Sequence, residues 1–317
     1  MRMAVLQSAA EWSARFGSPR RSTVITIGNF DGCHRGHQKI LRDVAERARG
    51  IHALAAVLTF FPHPARVLRP ADAPALLETL DQRLAAIDSC AIDAALVMPF
   101  DRELASMSAE DFVRRILVDT MAAQAVLVGG NFRFGHGGAG DVKLLVELGK
   151  RWRFTAEVVP PLGDNGVVIS STAIRAAIRE GRVEDARRML GRPYALAGQV
   201  RPGTGQGRKF VVPTLNLATE QEVLPNNGVY ATEVTVAGRT YRAATNVGVR
   251  PTFDGTRITI ESYLFDFDEM LTSGTLEVRF WRRLRDERKF SGPAELKEQV
   301  RKDVERAREF FQAANRT

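Results

Sequence analysis

The chain changes its repeating pattern once, at Gly191-Arg192-Pro193, and no single architecture accommodates both sides of that change. Upstream, short apolar or β-branched runs alternate with segments of helical spacing. Thr23–Ile27 precedes Arg35–Arg49, where Ile40, Leu41, Val44 and Ala48 recur at the helical period. Leu54–Phe60, Ala94–Met98, Ala125–Val128 and Phe154–Val159 continue the strands. Helices are expected at Asp81–Ser89, after Ser108-Ala109-Glu110-Asp111, and near Val142–Arg151. Such alternation predicts a parallel sheet covered by helices. Downstream, Tyr194–Val200, Val229–Val236, Thr240–Val247, Thr259–Phe265 and Thr275–Trp281 are short strands. Turn residues at Pro225-Asn226-Asn227-Gly228, Ala237-Gly238 and Asp254-Gly255 separate some of them. That is the pattern of an antiparallel barrel or sandwich. A closing helix follows, with Ser291 as its cap, Pro293 in its first turn, and Leu296, Val300, Val304, Ala307 and Phe311 on one face. The expectation is an α/β domain over residues 1–190 and a β domain over 191–317.

With 317 residues, each half is long enough for its own core. A hydrophobic content of 44% with 26% charged residues excludes a disordered or fibrous chain. No apolar stretch reaches the length of a membrane span, and Glu11, Arg15, Arg20 and Arg21 break up the N-terminus, so a cytoplasmic protein without a membrane partner is expected. The two cysteines, Cys33 and Cys90, lack metal-ligand spacing and read as free thiols. Cys33 reads as a small residue packed under a turn rather than as a nucleophile. The net charge of +8 suits polyanions, nucleotide phosphates as much as nucleic acid. Basic residues come in isolated pairs, such as Arg114-Arg115 and Arg187-Arg188, which read as solvated faces.

The segment Gly28-Asn29-Phe30-Asp31-Gly32-Cys33-His34-Arg35-Gly36-His37 follows the first of these strands. In parallel sheets ligands bind at the carboxyl ends of strands, and glycines there admit close approach to a helix N-terminus. His34 and His37 stand three apart, hence on one side of a helix start, where two imidazoles can donate to phosphate oxygens. The alternatives are a metal site, for which His63 and His136 lie in separate loops, or purely structural histidines. A second strand-end loop, Val128 to Gly140, offers Asn131 and Arg133 among Phe132 and Phe134, a set able to hold a flat heterocycle and its phosphate. An ordinary structured loop accounts for it equally. In Ile169-Ser170-Ser171-Thr172-Ala173-Ile174-Arg175, Ser171, Thr172 and Arg175 form either a polyphosphate cradle or an ordinary cap with a surface arginine.

In the second half, Gly203, Gly205, Gly207, Arg208 and Lys209 form a basic glycine-rich loop, able to wrap a phosphate or to serve as a plain hairpin loop. Thr214 and Asn216, in Pro213-Thr214-Leu215-Asn216, project to one face of a strand as two neutral oxygen ligands suited to Mg²⁺. Glu261, within a strand-like run, lies on a solvated face or acts as a general base.

Taken together, these segments resemble the bacterial bifunctional riboflavin kinase/FMN adenylyltransferases, also called FAD synthetases. His34-Arg35-Gly36-His37 resembles the H-x-G-H motif of the nucleotidyltransferase superfamily. The resemblance implies a Rossmann-like adenylyltransferase domain with a parallel sheet, then an antiparallel β-barrel kinase domain with a C-terminal helix. It implies that His34, His37 and Glu261 are catalytic, and that Gly28, Asn29, Phe30, Asp31 and Gly32 belong to the ATP site. Ser171, Thr172 and Arg175 would grip the ATP triphosphate, and Thr214 and Asn216 would hold Mg²⁺. Asn131 would contact the isoalloxazine ring, with Arg133, Phe61 and Pro62 as further candidate flavin contacts. The implied partners are riboflavin, FMN and ATP, with no stable nucleic-acid complex, in a monomer or weak homo-oligomer. Asn246-Val247-Gly248-Val249-Arg250-Pro251-Thr252-Phe253 also matches family stretches. Val211-Val212, Leu215, Tyr263 and Glu269-Met270-Leu271 depart from them, as does Gly130 in the first half. A β domain that binds flavin without kinase activity is the first alternative. A tRNA-binding protein is the second, although no K-M-S-K-S-like segment is present.

Overall fold

The computed structural model describes residues 2–164, 166–201, 214–252, 255–267, 271–288 and 290–314. The chain forms two compact units, Met1–Ser170 and Ser171–Thr317.

The first unit contains β1 (Ala4–Leu6), α1 (Ala9–Phe16), β2 (Thr23–Ile27), α2 (Arg35–Gly50), β3 (Leu54–Phe61), α3 (Pro64–Leu68), α4 (Leu80–Asp88), β4 (Ala94–Pro99) and α5 (Arg102–Ser106). It continues with α6 (Ala109–Asp111), which runs on as a π-helix over Phe112–Thr120, then β5 (Ala123–Gly129), α7 (Val142–Trp152), β6 (Thr155–Val159) and the two-strand pair β7 (Gly163–Asp164) and β8 (Val167–Val168). Six strands form one sheet in the order β1-β4-β3-β2-β5-β6, parallel at every pairing.

The apolar runs account for the sheet's place in the unit. All five residues of β2 are buried, and alternate side chains feed opposite layers. Ile25, Ile27, Ala56, Leu58 and Val126 enter one core, while Val24, Ala55, Val57 and Leu127 enter the other. From β2 the chain builds outward through β3 and β4, then returns to the other side of β2 with β5. The crevice at the carboxyl ends of β2 and β5 is therefore the place where strand order reverses, the position at which open parallel sheets as a class take their ligands. β1 was not among the expected strands; three residues carry too short a pattern to read, and its pairing with β4 defines it.

The second unit begins with α8 (Ser171–Arg179), which packs on α9 (Val183–Leu190), and α9 packs against a closed barrel. Its strands are β9 (Tyr194–Arg201), β10 (Leu215–Ala218), β11 (Gly228–Val236), β12 (Arg239–Thr252), β13 (Gly255–Leu264) and β14 (Thr275–Arg285), in the order β10-β13-β12-β11-β14-β9. Every pairing is antiparallel. The sequence left barrel and sandwich open, and closure selects the barrel. Its interior holds Tyr230, Val247, Ile260 and Phe280 together with a fully buried hydroxyl row. In that row Thr232 Oγ1 lies 2.6 Å from Thr245 Oγ1, and Thr245 Oγ1 lies 2.8 Å from Ser262 Oγ.

The helix α10 (Pro293–Ala314) lays Val304, Ala307 and Phe311 over Ala231, Ala244 and Phe265. Buried Asp303 fixes it to β14 by accepting from Arg285 Nε at 2.8 Å and Nη2 at 2.7 Å. Ser291 does not cap this helix as expected. The helix starts at Pro293, two residues on, and the Ser291 N–H and hydroxyl donate instead to the Glu295 carboxylate, at 2.9 and 2.8 Å. Those bonds hold the Glu295 pKa below the usual carboxylate range.

Candidate active sites

The loop after β2 is strained and mostly buried. Phe30, Gly32 and Cys33 all have positive φ, at 50°, 81° and 33°, a state that costs about 1–3 kcal/mol for a residue with a side chain. Cys33 is buried, as its reading as a packed residue requires. The loop delivers His34 to the N-cap of α2, where its Nδ1 accepts from the His37 N–H at 3.3 Å. A neutral imidazole that accepts at Nδ1 carries its proton on Nε2. Gly36 makes this possible, because a Cβ there would stand 3.2 Å from the His34 ring.

The His37 ring stacks on that of His34, with centroids 3.7 Å apart and planes 15° from parallel, and the Phe30 ring meets it edge-on. His37 Nδ1 is buried with no hydrogen-bond partner. Desolvation, then the neighbouring His34 and Arg83, hold the His37 pKa well below the ordinary histidine range. The sequence thus brings two imidazoles together at a helix N-terminus, where first-turn N–H groups lack intrahelical partners.

Gly28 and Asn29 follow directly on β2, open this loop and border a cavity of about 490 Å³. Phe60, Phe100, Phe112, Phe132 and Phe134 line it, with Arg102, Arg133 and His136 at polar positions. That size and lining suit a flat heterocycle. Gly135 shapes the wall. Its φ is 73°, and a Cβ would lie 2.6 Å from the Ala109 backbone.

The buried Asp31 carboxylate faces inward and accepts from the Leu77 N–H at 3.0 and 3.2 Å. Asn29 Nδ2 lies 3.0 Å from His63 Nε2. Phe61 and Pro62 are exposed at the end of β3, whereas Phe60 and Pro64 line the cavity. Asn131 is exposed beside Gly129, and Arg133 reaches Asp141 at 3.8 Å. Gly130 faces only Val158, at 3.7 Å from an added Cβ. Phe60, Phe100, Phe112, Arg102 and His136 were not among the sequence candidates. Phe100 and Arg102 follow a strand end, the one signal that could have found them. Among the described residues no group of three His, Cys, Asp or Glu side chains is placed to hold a metal ion.

In the second unit, Ser171 and Thr172 open α8, and half-buried Arg175 lies one turn in. Gly203, Gly205, Gly207, Arg208 and Lys209 lie outside the described residues, as do Val211, Val212, Glu269 and Met270. Thr214 is exposed just ahead of β10. The register then makes the key arrangement. Asn216 of β10 pairs with Glu261 of β13, and Glu261 pairs with Asn246 of β12. Directly opposed residues share a face, so two amides flank one carboxylate on the outer surface of the barrel.

Leu215 and Ser262, one residue along, face inward and are buried. The Leu215 departure therefore fills the barrel interior, and Tyr263 packs in the α10 cluster. Asn246 is a further polar member of the row. Glu287 approaches it, since a Cβ on Gly248 would lie 2.5 Å from Glu287 Oε1 and 3.1 Å from Asn246 Nδ2.

A family model of FAD synthetase matches residues 18–173, and one of riboflavin kinase matches residues 190–311. The bifunctional riboflavin kinase/FMN adenylyltransferase of Escherichia coli K12 is 36% identical over 93% of this chain and 94% of its own length. The chain belongs to this bifunctional family. The riboflavin kinase/FMN adenylyltransferase of Pseudomonas fluorescens is 37% identical over 91% of this chain and 93% of its own. A structure solved as a macrolide-efflux protein from Streptococcus pneumoniae matches with a TM-score of 0.87 at 29% identity, over 97% of this chain and 99% of that one. No helix among the described residues here is long and apolar enough to cross a membrane. Within the riboflavin kinase/FMN adenylyltransferase frame, the stacked histidines belong to the FAD synthetase match, and the Asn216–Glu261 pair to the riboflavin kinase match.

Proposed function

We propose that the chain carries out two ATP-dependent transfers in flavin cofactor biosynthesis: residues 191–317 phosphorylate riboflavin to FMN, and residues 1–190 adenylylate FMN to FAD. The observation that carries this reading is that the two family matches fall on separate stretches of the chain, each with its own constellation of polar residues.

In adenylylation, an oxygen of the FMN phosphate attacks the α-phosphorus of ATP, the bond to the β-phosphate oxygen breaks, and pyrophosphate leaves. His34 and His37 donate hydrogen bonds to the charge that builds on the α-phosphate, while Ser171, Thr172 and Arg175 bind the departing pyrophosphate. The aromatic cavity beside Gly28 and Asn29 takes the flavin ring, with Asn29 at the junction of ring site and phosphate loop.

In phosphorylation, Glu261 accepts the proton of the ribityl 5′-hydroxyl as its oxygen attacks the γ-phosphorus and ADP leaves. Asn216 offers an amide oxygen beside the Glu261 carboxylate, and Thr214, two residues earlier, would add a hydroxyl, giving an all-oxygen donor set that fits Mg²⁺. Mg²⁺ bound there would offset phosphate charge. We read the enzyme as a cytoplasmic monomer or weak homo-oligomer acting on small molecules.

The test is to incubate the purified protein with riboflavin, ATP and Mg²⁺, and separately with FMN, ATP and Mg²⁺, then separate the flavins chromatographically. FMN and FAD are expected from the first mixture and FAD from the second. FAD from FMN without any phosphorylation of riboflavin would reduce the barrel to a flavin-binding module.

A further inference from the structure

Arg83, in the second turn of α4, is completely buried. A guanidinium without access to water is costly to hold unless its donors are matched, yet here Nε and Nη2 have no hydrogen-bond partner. The remaining nitrogen, Nη1, donates to the carbonyl oxygens of Asn29 at 2.9 Å and Phe60 at 3.4 Å. Those carbonyls stand at the carboxyl ends of neighbouring strands, one in the phosphate loop and the other in the wall of the aromatic cavity. One buried cation therefore ties the two parts of the adenylylation site to each other.

We propose that Arg83 is a positioning residue for FMN adenylylation, acting on Asn29 and Phe60 through its hydrogen bonds and on His37 through its charge. The inference rests on the assignment of His37 to the reacting phosphates. Electrostatics support the second action. His34 and Arg83 are the charged or titratable groups that depress His37, in addition to its burial. Asp31, Glu78 and Cys33 act on Arg83 itself, partly offsetting the desolvation that lowers its own pKa. Arg35, on the same helix as His37, lies 3.7 Å from Asp164, and His63 is engaged with Asn29. A neutral His37 reaches ATP without the desolvation cost of an imidazolium and without repelling Arg83. A methionine at position 83 would fill comparable space at less desolvation cost, but it would supply neither the donors nor the field.

Two substitutions separate the two actions in the full-length protein. Arg83→Gln keeps a donor and removes the charge. Arg83→Lys keeps the charge and removes the planar fork. Side-chain NMR of histidine, with the His37 signal assigned by its loss in His37→Gln, reads the second action, that of the charge, directly. In Arg83→Gln the His37 midpoint is expected to rise, and the acidic limb of kcat for FAD formation to move to higher pH with it. In Arg83→Lys the midpoint is expected to stay low while kcat falls roughly ten- to a hundredfold, the scale of a small misplacement of reacting groups. Amide spectra establish that each variant is folded. If Arg83→Gln does not fold, the near-isosteric Arg83→Lys carries the test.

An unmoved His37 midpoint in Arg83→Gln, or native kcat in Arg83→Lys, overturns the proposal. Full FAD formation by His37→Ala would instead remove His37 from the reaction, an outcome read independently of either Arg83 variant.

Discussion

The two units organise their chemistry by different means. In the first, topology makes the site: β2 and β5 diverge in chain order, a crevice opens at their carboxyl ends, and a strained loop packs histidines, a phenylalanine and a buried arginine beneath it. In the barrel, register makes the site: Asn216, Glu261 and Asn246 meet because three strands are aligned residue by residue. A topological site tolerates small shifts along a strand but depends on its supporting shell. A register site needs little beneath it but fails with a one-residue slip.

The sharpest way to test this division is at the residues to which we assign the chemistry. Glu261→Gln is expected to lower FMN formation from riboflavin by about 10²–10⁴-fold, the usual span for losing a general base, while supplied FMN is still converted to FAD. Persistent FMN formation would take Glu261 out of its role. His37→Ala is expected to do the converse, cutting FAD formation by about 10²–10³-fold and sparing riboflavin phosphorylation, with steady-state rates for each step as the measure. Equal loss of both products in a folded variant would break the two-site picture.

The third prediction concerns what holds the barrel's outer helix. Asp303→Ala leaves Arg285 without its buried carboxylate and is expected to destabilise the second unit by about 3–5 kcal/mol, read by amide exchange in β14. Amide exchange in β2 should be unchanged.

The smallest effect is a pH dependence confined to the first unit. His37 binds a proton less readily in the folded chain than in the unfolded one. Above about pH 6.5 neither state is protonated there and His37 contributes no slope. Below it the unfolded chain takes up the proton first, so stability falls as pH falls until the folded His37 also charges. Amide exchange of β2 measured between about pH 5 and 7 should show this decline, and His37→Gln should flatten it.

Much of this was legible in the sequence, for identifiable reasons. Thr23–Ile27 and Leu54–Phe60 read as strands because buried parallel strands are apolar on both faces. His34 and His37 read as a pair because a helix start imposes their common side. Glu261 and Asn216 were legible as candidates, but their pairing was not: register across a barrel depends on strand partners far apart in sequence. The cavity phenylalanines were hidden for another reason. Phe60, Phe100 and Phe112 each look like core, and only the third dimension shows that they leave a space between them. Arg83 was invisible because an arginine on an amphipathic helix ordinarily faces water.

The hydroxyl row Thr232–Thr245–Ser262 gives the barrel a form of error-proofing. Aliphatic side chains slide past one another with little preference for position, whereas three hydroxyls in a dry interior are matched in one alignment and orphaned in the next. Ser262 and Thr245 are direct partners, and the residues next to them, Glu261 and Asn246, are partners on the opposite side of the same strands. The interior thus proofreads the alignment of the proposed catalytic face, which it never touches. A redesign that replaced the row with valines could make the barrel more stable while loosening the placement of its only carboxylate on that strand pair.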